Sequence, residues 1–423
     1  MLAAGHCKSA ALAAGLLREL AEFSISSQHV SELTLTIGSE LAAQRDRQVA
    51  ALPPASVRDQ RPGEVPAAVA VEVDGGRLQT RAVGHGRGVH DPHWNENKIA
   101  CLVTVDSEPS VTDPQAELPS SFLDRQRVQH LVQEISNHRT GSPADVDEKV
   151  LVLPEWAQPT ATAPRAESSG SAASGPEHVA AASGGEAWEP GKPPDWRPQR
   201  LVRTCVATMA ASDTFGKQVA NEAYQRNFYQ APRRAYVGDG QKYNWTIQER
   251  HFTDFEAIAD FVHVLTYVYA VALAVAGSVT EGWPLYLGWI RACWQGRVQE
   301  VLAALTAWQQ KQETPPAKPP PTDPREIVRT TVTYLTNNAT RMNYPRYRQR
   351  GLPCMSSWME SLVKEFNYRV KGSEKFWNRG ANAEAILQVR AAVLSEDERL
   401  WQHIQGRGGS ACRPYRRKSA KLE

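Results

Sequence analysis

Val69–Gly76 reads VAVEVDGG, and Ala235–Gln241 reads AYVGDGQ. In the first, Val69, Val71 and Val73 alternate as in a strand, and the run ends in Asp74-Gly75-Gly76. Asp-Gly is a hairpin pair, so the pattern predicts a strand entering a tight turn, with 77–83 returning as a second strand. A third strand is expected over 98–105, giving an antiparallel meander. In the second stretch a short strand over 234–237 breaks at Gly238-Asp239-Gly240, and 255–259 reads as another strand. A mixed α/β fold follows, because helical patterns at 122–136, 213–230 and 262–308 alternate with these strands.

A third stretch, 341–377, reads RMNYPRYRQRGLPCMSSWMESLVKEFNYRVKGSEKFW. Met359, Leu362, Val363, Phe366 and Val370 recur at helical spacing and predict a buried helix face. Glu360, Lys364, Asn367 and Lys371 align on another face. Two strand-end aspartates and a helix-borne glutamate suit a divalent-metal phosphoryl-transfer site, in which acidic groups from separate elements converge. Each also fits a plainer role. Asp74 and Asp239 are ordinary turn residues, and Ser357-x-x-Glu360 matches a capping box. Asp260 and His263 (D-x-x-H) are secondary candidates: two metal ligands one helical turn apart, or a helix cap and a core-edge histidine. Asp106 and Glu108 are weaker rivals to Asp74.

Arg341, Tyr344, Arg346, Tyr347, Arg348 and Arg350 interleave cations with aromatics, a mixture that pairs with phosphates and stacks on bases, or serves the protein's own surface. Net charge is +2 over 423 residues, but from Arg325 onward 19 Lys and Arg face 9 Asp and Glu. That asymmetry favours a polyanion-facing C-terminal part. Six scattered cysteines show no zinc spacing and suit a reducing compartment. GHGRG at 84–88 is not a phosphate-binding fingerprint, and no Walker motif occurs, so no nucleotide cofactor is expected. Charges within residues 1–22 break a signal-peptide pattern. FVHVLTYVYAVALAVAGSV at 261–279 carries His263, Thr266 and two tyrosines, and reads as a buried core helix rather than a membrane span. A soluble, cytoplasmic protein is expected.

Taken together, VEVDGGRLQTR, YVGDGQKYNW, HFTDFEAIADFVHV, the 341–377 stretch and GANAEAILQVRAAVLSEDER resemble the Kra-type insertion-sequence transposases. The likeness runs from about residue 10 to about residue 404 and is broken by an Ala/Ser/Gly/Pro-rich linker. The resemblance implies a DDE transposase with an RNase H-like mixed sheet, an inserted helical domain and a helical N-terminal unit. Its catalytic and metal-binding carboxylates would fall on Asp74, Asp239 and Glu360, holding two Mg²⁺ or Mn²⁺ ions. DNA contacts would come from Arg341, Arg346, Tyr347, Arg348, Lys364, Arg369, Lys371 and Lys375. The expected division is a helical unit over 1–60, a shortened form of the family's DNA-binding region, and a catalytic core in three parts, 61–158, 199–260 and 325–404. A linker over 159–198, a helical insertion over 261–324 and a basic tail over 405–423 complete it. The implied partners are double-stranded DNA, at element ends and target, and further copies of the chain, in the bacterial cytoplasm at the nucleoid. A truncated remnant that only binds DNA, and a general RNase H-like nuclease, are the alternatives.

Overall fold

The structure, a computed structural model, describes residues 1–81, 93–139, 152–158, 195–313, 319–371, 377 and 380–407. Lys375, the GHGRG segment, nearly all of the linker and most of the basic tail lie outside them. Three helices come first: α1 (Leu2–His6), α2 (Ala10–Ala21) and α3 (Ser27–Ala50). Strands β1 (Ala68–Gln79) and β2 (Trp94–Asp106), helix α4 (Arg125–Arg139) and strand β3 (Gln199–Thr208) follow. Next are α5 (Ser212–Gln225), β4 (Arg233–Gly238), α6 (Lys242–His251) and β5 (Glu256–Ala259). The remainder is helical: α7 (Phe261–Ala276), α8 (Val279–Trp294), α9 (Val298–Gln310), α10 (Pro324–Asn338), α11 (Tyr344–Gln349), α12 (Ser357–Val370), α13 (Gly380–Leu394) and α14 (Arg399–Gly406).

The strands form one sheet in the order β3-β2-β1-β4-β5. β2 is antiparallel to β1 and β3, while β4 is parallel to β1 and to β5. The expected turn at Asp74-Gly75-Gly76 is not there. β1 runs straight through it, with Asp74 opposite Ile99, Gly75 opposite Lys98 and Gly76 opposite Asn97. The glycine serves packing instead: a β-carbon on Gly76 would sit 2.8 Å from the Asn97 Oδ1. Residues 77–79 therefore finish β1 rather than start a second strand. The meander is β1, β2 and β3, and its third strand lies beyond the linker. Helix α3 runs to Ala50, and a 3₁₀ turn over Ala55–Gln60 follows it.

Both sheet faces are covered, so the strands bury both sets of alternating residues. Ala68, Ala70, Leu78, Ile99, Cys101 and Val237 face α7, α8, α10 and α12. Val69, Val71, Val73, Ala100 and Tyr236 face α5 and α6, with Phe215, Val219 and Trp245. Helix α7 is the buried core helix the sequence suggests, with every residue from Phe261 to Ala274 buried. It shares its core with the sheet, so packing does not break at the expected domain boundary. Among the described residues no helix is long and apolar enough to cross a membrane. The N-terminal helices dock on the C-terminal ones: α3 crosses α13 where a side chain on Gly38 would run into the Ala385 backbone.

The outer edge of β5 is an unpaired strand edge, a site of unwanted pairing unless covered. Helix α11 covers it. Tyr344 donates its hydroxyl to the Ala259 carbonyl (2.8 Å) and Tyr347 to the Ala257 carbonyl (3.4 Å). Arg346 and Arg350 both pair with Glu256.

Candidate functional site

The parallel register of β1 and β4 runs from Ala68 opposite Arg233 to Glu72 opposite Val237. Two residues further along each chain, in the same phase, stand Asp74 and Asp239. Neighbouring strands lie about 4.8 Å apart, so this register alone brings the two aspartates together. The β4 strand stops here because Gly240 takes φ +97°, and a side chain there would meet the Tyr334 ring. The predicted Gly-Asp-Gly turn is real, and it aims Asp239 inward, 4% exposed. Its Oδ1 accepts from the Gln241 amide (2.9 Å) and the Asn244 side chain (2.7 Å). Its backbone carbonyl accepts from the Tyr334 hydroxyl (3.1 Å). Asp74 Oδ1 accepts from the Gly75 amide at 2.7 Å. The Tyr243 hydroxyl is pushed well up by burial and then by the charges of Asp239, Asp74 and Glu96.

Glu360 lies in the first turn of α12, but not in a capping box. Ser356 occupies the cap position and its side chain makes no cap hydrogen bond. Its hydroxyl goes instead to Asp260 Oδ2 (2.8 Å) and its amide to Asp260 Oδ1 (3.0 Å). Glu360 Oε1 is buried with no hydrogen-bond partner. Burial pushes the carboxyl up to about 7, helped by the negative charges of Asp260 and Asp74 and opposed by His263 and Lys364. A pKa raised this way marks a position where negative charge is uncompensated and a cation would be welcome. As the side chains stand, no three His, Cys, Asp or Glu among the described residues are gathered closely enough to hold an ion.

The raised pKa has a measurable consequence. Between about 4.5 and about 7 the folded protein keeps a proton on Glu360 that the unfolded chain has released. Stability therefore falls as pH rises through that window. Glu360→Gln has no proton to lose, so without divalent cations it is expected to stabilise the fold at about pH 8. Discounted for partial exposure, the gain is on the order of 2 kcal/mol, vanishing near pH 4. Urea unfolding in EDTA at both pH values measures it, and an equal effect at the two would count against the carboxylate-rich environment.

Sequence reasoning missed Glu72. The alternation of Val69, Val71 and Val73 marks only one face of the strand, but the sheet is covered on both sides and Glu72 is completely buried. It shares a strand face with Asp74, and its Oε2 accepts the Met359 amide at the start of α12 (2.9 Å). Burial drives its carboxyl well above the usual range, with Asp260 and Glu360 adding to the rise and the Met359 amide opposing it. Glu72 thus ties the Glu360-bearing helix to the Asp74-bearing strand.

Asp260 takes the plainer of its two readings. It caps α7 by accepting from the Val262 amide (3.2 Å), and its second oxygen meets His263 Nδ1. Burial works to raise its carboxyl, but His263 and Ser356 outweigh it and hold it low. With the two Ser356 bonds it accepts four hydrogen bonds, the full capacity of a carboxylate, and this argues against the D-x-x-H pair as metal ligands.

Several expected DNA contacts are corrected. Arg348 has no exposed surface. Its guanidinium pairs with both oxygens of Asp113 and lies 4.0 Å over the Trp294 ring. Tyr347 is buried against β5. Arg369 is buried too, donating to the Lys8 carbonyl (3.3 Å) with its guanidinium 5.9 Å from the Trp377 ring centre. Arg341 stacks over Trp245 at 4.4 Å and donates to the Asn337 carbonyl. Lys371 is 6.0 Å from the Trp94 ring centre. Arg346 and Lys364 keep more than half of their side-chain surface exposed while pairing with Glu256 and Glu134. The cation–aromatic interleaving of 341–350 is thus satisfied mostly within the protein.

No protein-family model matches this chain, and no curated protein matches it.

Proposed function

We propose that this chain is a divalent-metal-dependent DNA transposase of the DDE class, built on an RNase H-like core. One observation carries the reading: the β1–β4 register sets Asp74 beside Asp239, while α12, tied to β1 through Glu72, carries Glu360 close enough for Asp74 to influence its ionisation. The order of elements supports it as well. A meander carrying Asp74, a helix, the Asp239 strand, one more strand and a late helix with Glu360 is the order such a core requires.

The unpartnered Glu360 oxygen, with burial and the nearby charges of Asp260 and Asp74 opposing its ionisation, fits a cationic group. Asp74, Asp239 and Glu360 would hold two Mg²⁺ or Mn²⁺ ions, which when bound activate an attacking oxygen and stabilise a leaving one. The rest is positioning by the chain. The Gln241 amide and Asn244 fix the Asp239 carboxylate, and the Ser356–Asp260 bonds pin α12 to α7. Water hydrolyses a phosphodiester at the element end, and the freed 3′-hydroxyl attacks a target strand in line, with no covalent enzyme intermediate. Joining two ends calls for at least two copies of the chain on double-stranded DNA, in the bacterial cytoplasm. Of the expected contacts, Arg346 and Lys364 keep more than half of their side-chain surface exposed and would meet the backbone.

A second reading, a remnant that binds DNA without cutting it, draws on the burial of Arg348 and Arg369, which leaves fewer cations for recognising element ends, and of Tyr347, which removes a stacking ring. The test is cleavage and strand joining with a labelled duplex carrying the element's terminal inverted repeat, against an unrelated duplex, in Mg²⁺ or Mn²⁺. Preferential cutting and joining at the repeat is expected. Equal cutting of both duplexes would indicate a general nuclease, and binding without cutting the remnant. No interaction with either duplex would contradict all three.

A further inference from the structure

Of the 12 residues of helix α2, only Ala13 is buried. Isolated helices of that length are marginal in water, and proteins hold them by burying an apolar stripe. In α2 the stripe faces outward. Residues four apart stand one above another on a helix face, so Leu12, Leu16 and Leu20 form one row. They are 46%, 39% and 81% exposed. Beyond them the chain turns through Glu22 in the left-handed region (φ 52°), and Phe23, next in the chain, is 55% exposed. Together the four side chains leave on the order of 400 Å² of apolar surface in water. A lone exposed leucine needs no explanation, but a patch of this size is among the largest a monomer carries and is often functional.

The character of the row selects its occupant. It carries no charge: the two ionisable side chains of α2, Arg18 and Glu19, pair with each other at 2.9 Å. A nucleic-acid backbone or an anionic membrane surface calls for a row of cations beside the apolar residues, and α2 has none. The row is also symmetric about Leu16. An antiparallel copy therefore sets Leu16 on Leu16 and Leu12 on Leu20, which is the self-complementarity of a two-fold interface. Its size fits as well. A standard interface buries about 800 Å² per partner, of which about 450 Å² is apolar.

We propose that the Leu12–Leu16–Leu20 face of α2 is a homodimer interface, at which two copies of the chain pair antiparallel about a two-fold axis at Leu16. In its purpose the dimer rests on the transposase reading, because joining two ends calls for two copies. The face itself stands on exposure, spacing and charge.

Sedimentation velocity of the full chain over a dilution series, without DNA, tests it. The wild type is expected to sediment as a dimer. Leu16→Glu is expected to raise the dissociation constant by about 10²- to 10³-fold, because each dimer then holds two carboxylates face to face in an apolar row. Leu20→Glu repeats the test at a position that the monomer's own packing hardly touches, and an unchanged Tm shows that each variant still folds. Cross-linking reads the direction of pairing. The other five cysteines are buried, so a Cys412→Ser background is used. Leu16→Cys should then form a disulfide with its own copy under mild oxidation. Leu12→Cys and Leu20→Cys should cross-link only when mixed, since like positions lie about 12 Å apart along the axis.

A wild type that is monomeric at every concentration, or a dimer that neither glutamate weakens, would overturn the proposal. So would monomers that float with phospholipid vesicles, which would make α2 a membrane contact. A dimer that weakens as expected but never cuts or joins DNA leaves the face standing and removes the transposase reading. Monomers that cut and join at the element end do the reverse.

Discussion

Asp239→Asn is expected to lower metal-dependent strand cleavage by about 10²- to 10³-fold while leaving the fold intact. The amide oxygen of asparagine can still accept from the Gln241 amide and the Asn244 side chain, so the local turn survives. What is lost is one negative charge at the point where β1 and β4 converge. Asp74→Asn should behave in the same way, because the same register places it there. Asp260→Asn should not: its carboxylate is engaged by His263, Ser356 and the cap of α7, so its replacement should show first as lost stability. Cleavage assays run beside thermal unfolding separate the two patterns. Full cleavage by Asp239→Asn would place the chemistry elsewhere in the chain.

The second large effect concerns stability. Asp113→Ala is expected to destabilise the protein by about 3–5 kcal/mol, because it leaves a fully buried guanidinium without its carboxylate. Arg348 has no exposed surface, and the Trp294 carbonyl at 3.2 Å, the ring beneath it and the buried Cys354 thiol offer it no compensating charge. Removing both charges, as Asp113→Leu with Arg348→Met, should cost much less than Asp113→Ala alone. Urea denaturation measures all three chains. The pH dependence has a definite sign. Burial works to raise the Asp113 carboxyl, but Arg348 outweighs it and holds it low. The pair's contribution is therefore complete above the ordinary aspartate range and fades as pH falls through the depressed value. Arg348→Met is also expected to leave oligonucleotide affinity unchanged, and a marked loss of affinity in a folded variant would restore Arg348 as a DNA contact.

These outcomes divide along what a sequence can carry. The strands at Asp239 and before Asp260, the buried helix α7 and the apolar face of α12 were legible, because local periodicity decided them. The turn at Asp74-Gly75-Gly76 was misread because Asp-Gly is a strong local turn signal, while β2, the partner that keeps β1 extended, comes later in the chain. β3 was passed over: Arg203 and Thr204 are buried within it, so its pattern is not that of an apolar strand. Glu72 was missed because the alternation of valines marks only one face of β1, while helices cover both. Tyr347 and Arg348 look the same in sequence whether their partners are nucleic acid or the protein itself. The carboxylate that claims Arg348 is 235 residues away, too far for any spacing rule to reveal.

Asp74, Asp239 and Glu360 are proposed above to form one divalent-cation site. Anomalous diffraction at the manganese edge, from crystals grown with Mn²⁺ and a duplex oligonucleotide, tests it most directly. Density enclosed by these three carboxylates, and absent when Asp239→Asn crystals are treated identically, is the expected result. Manganese bound only elsewhere, or density that persists unchanged in the variant, would contradict it.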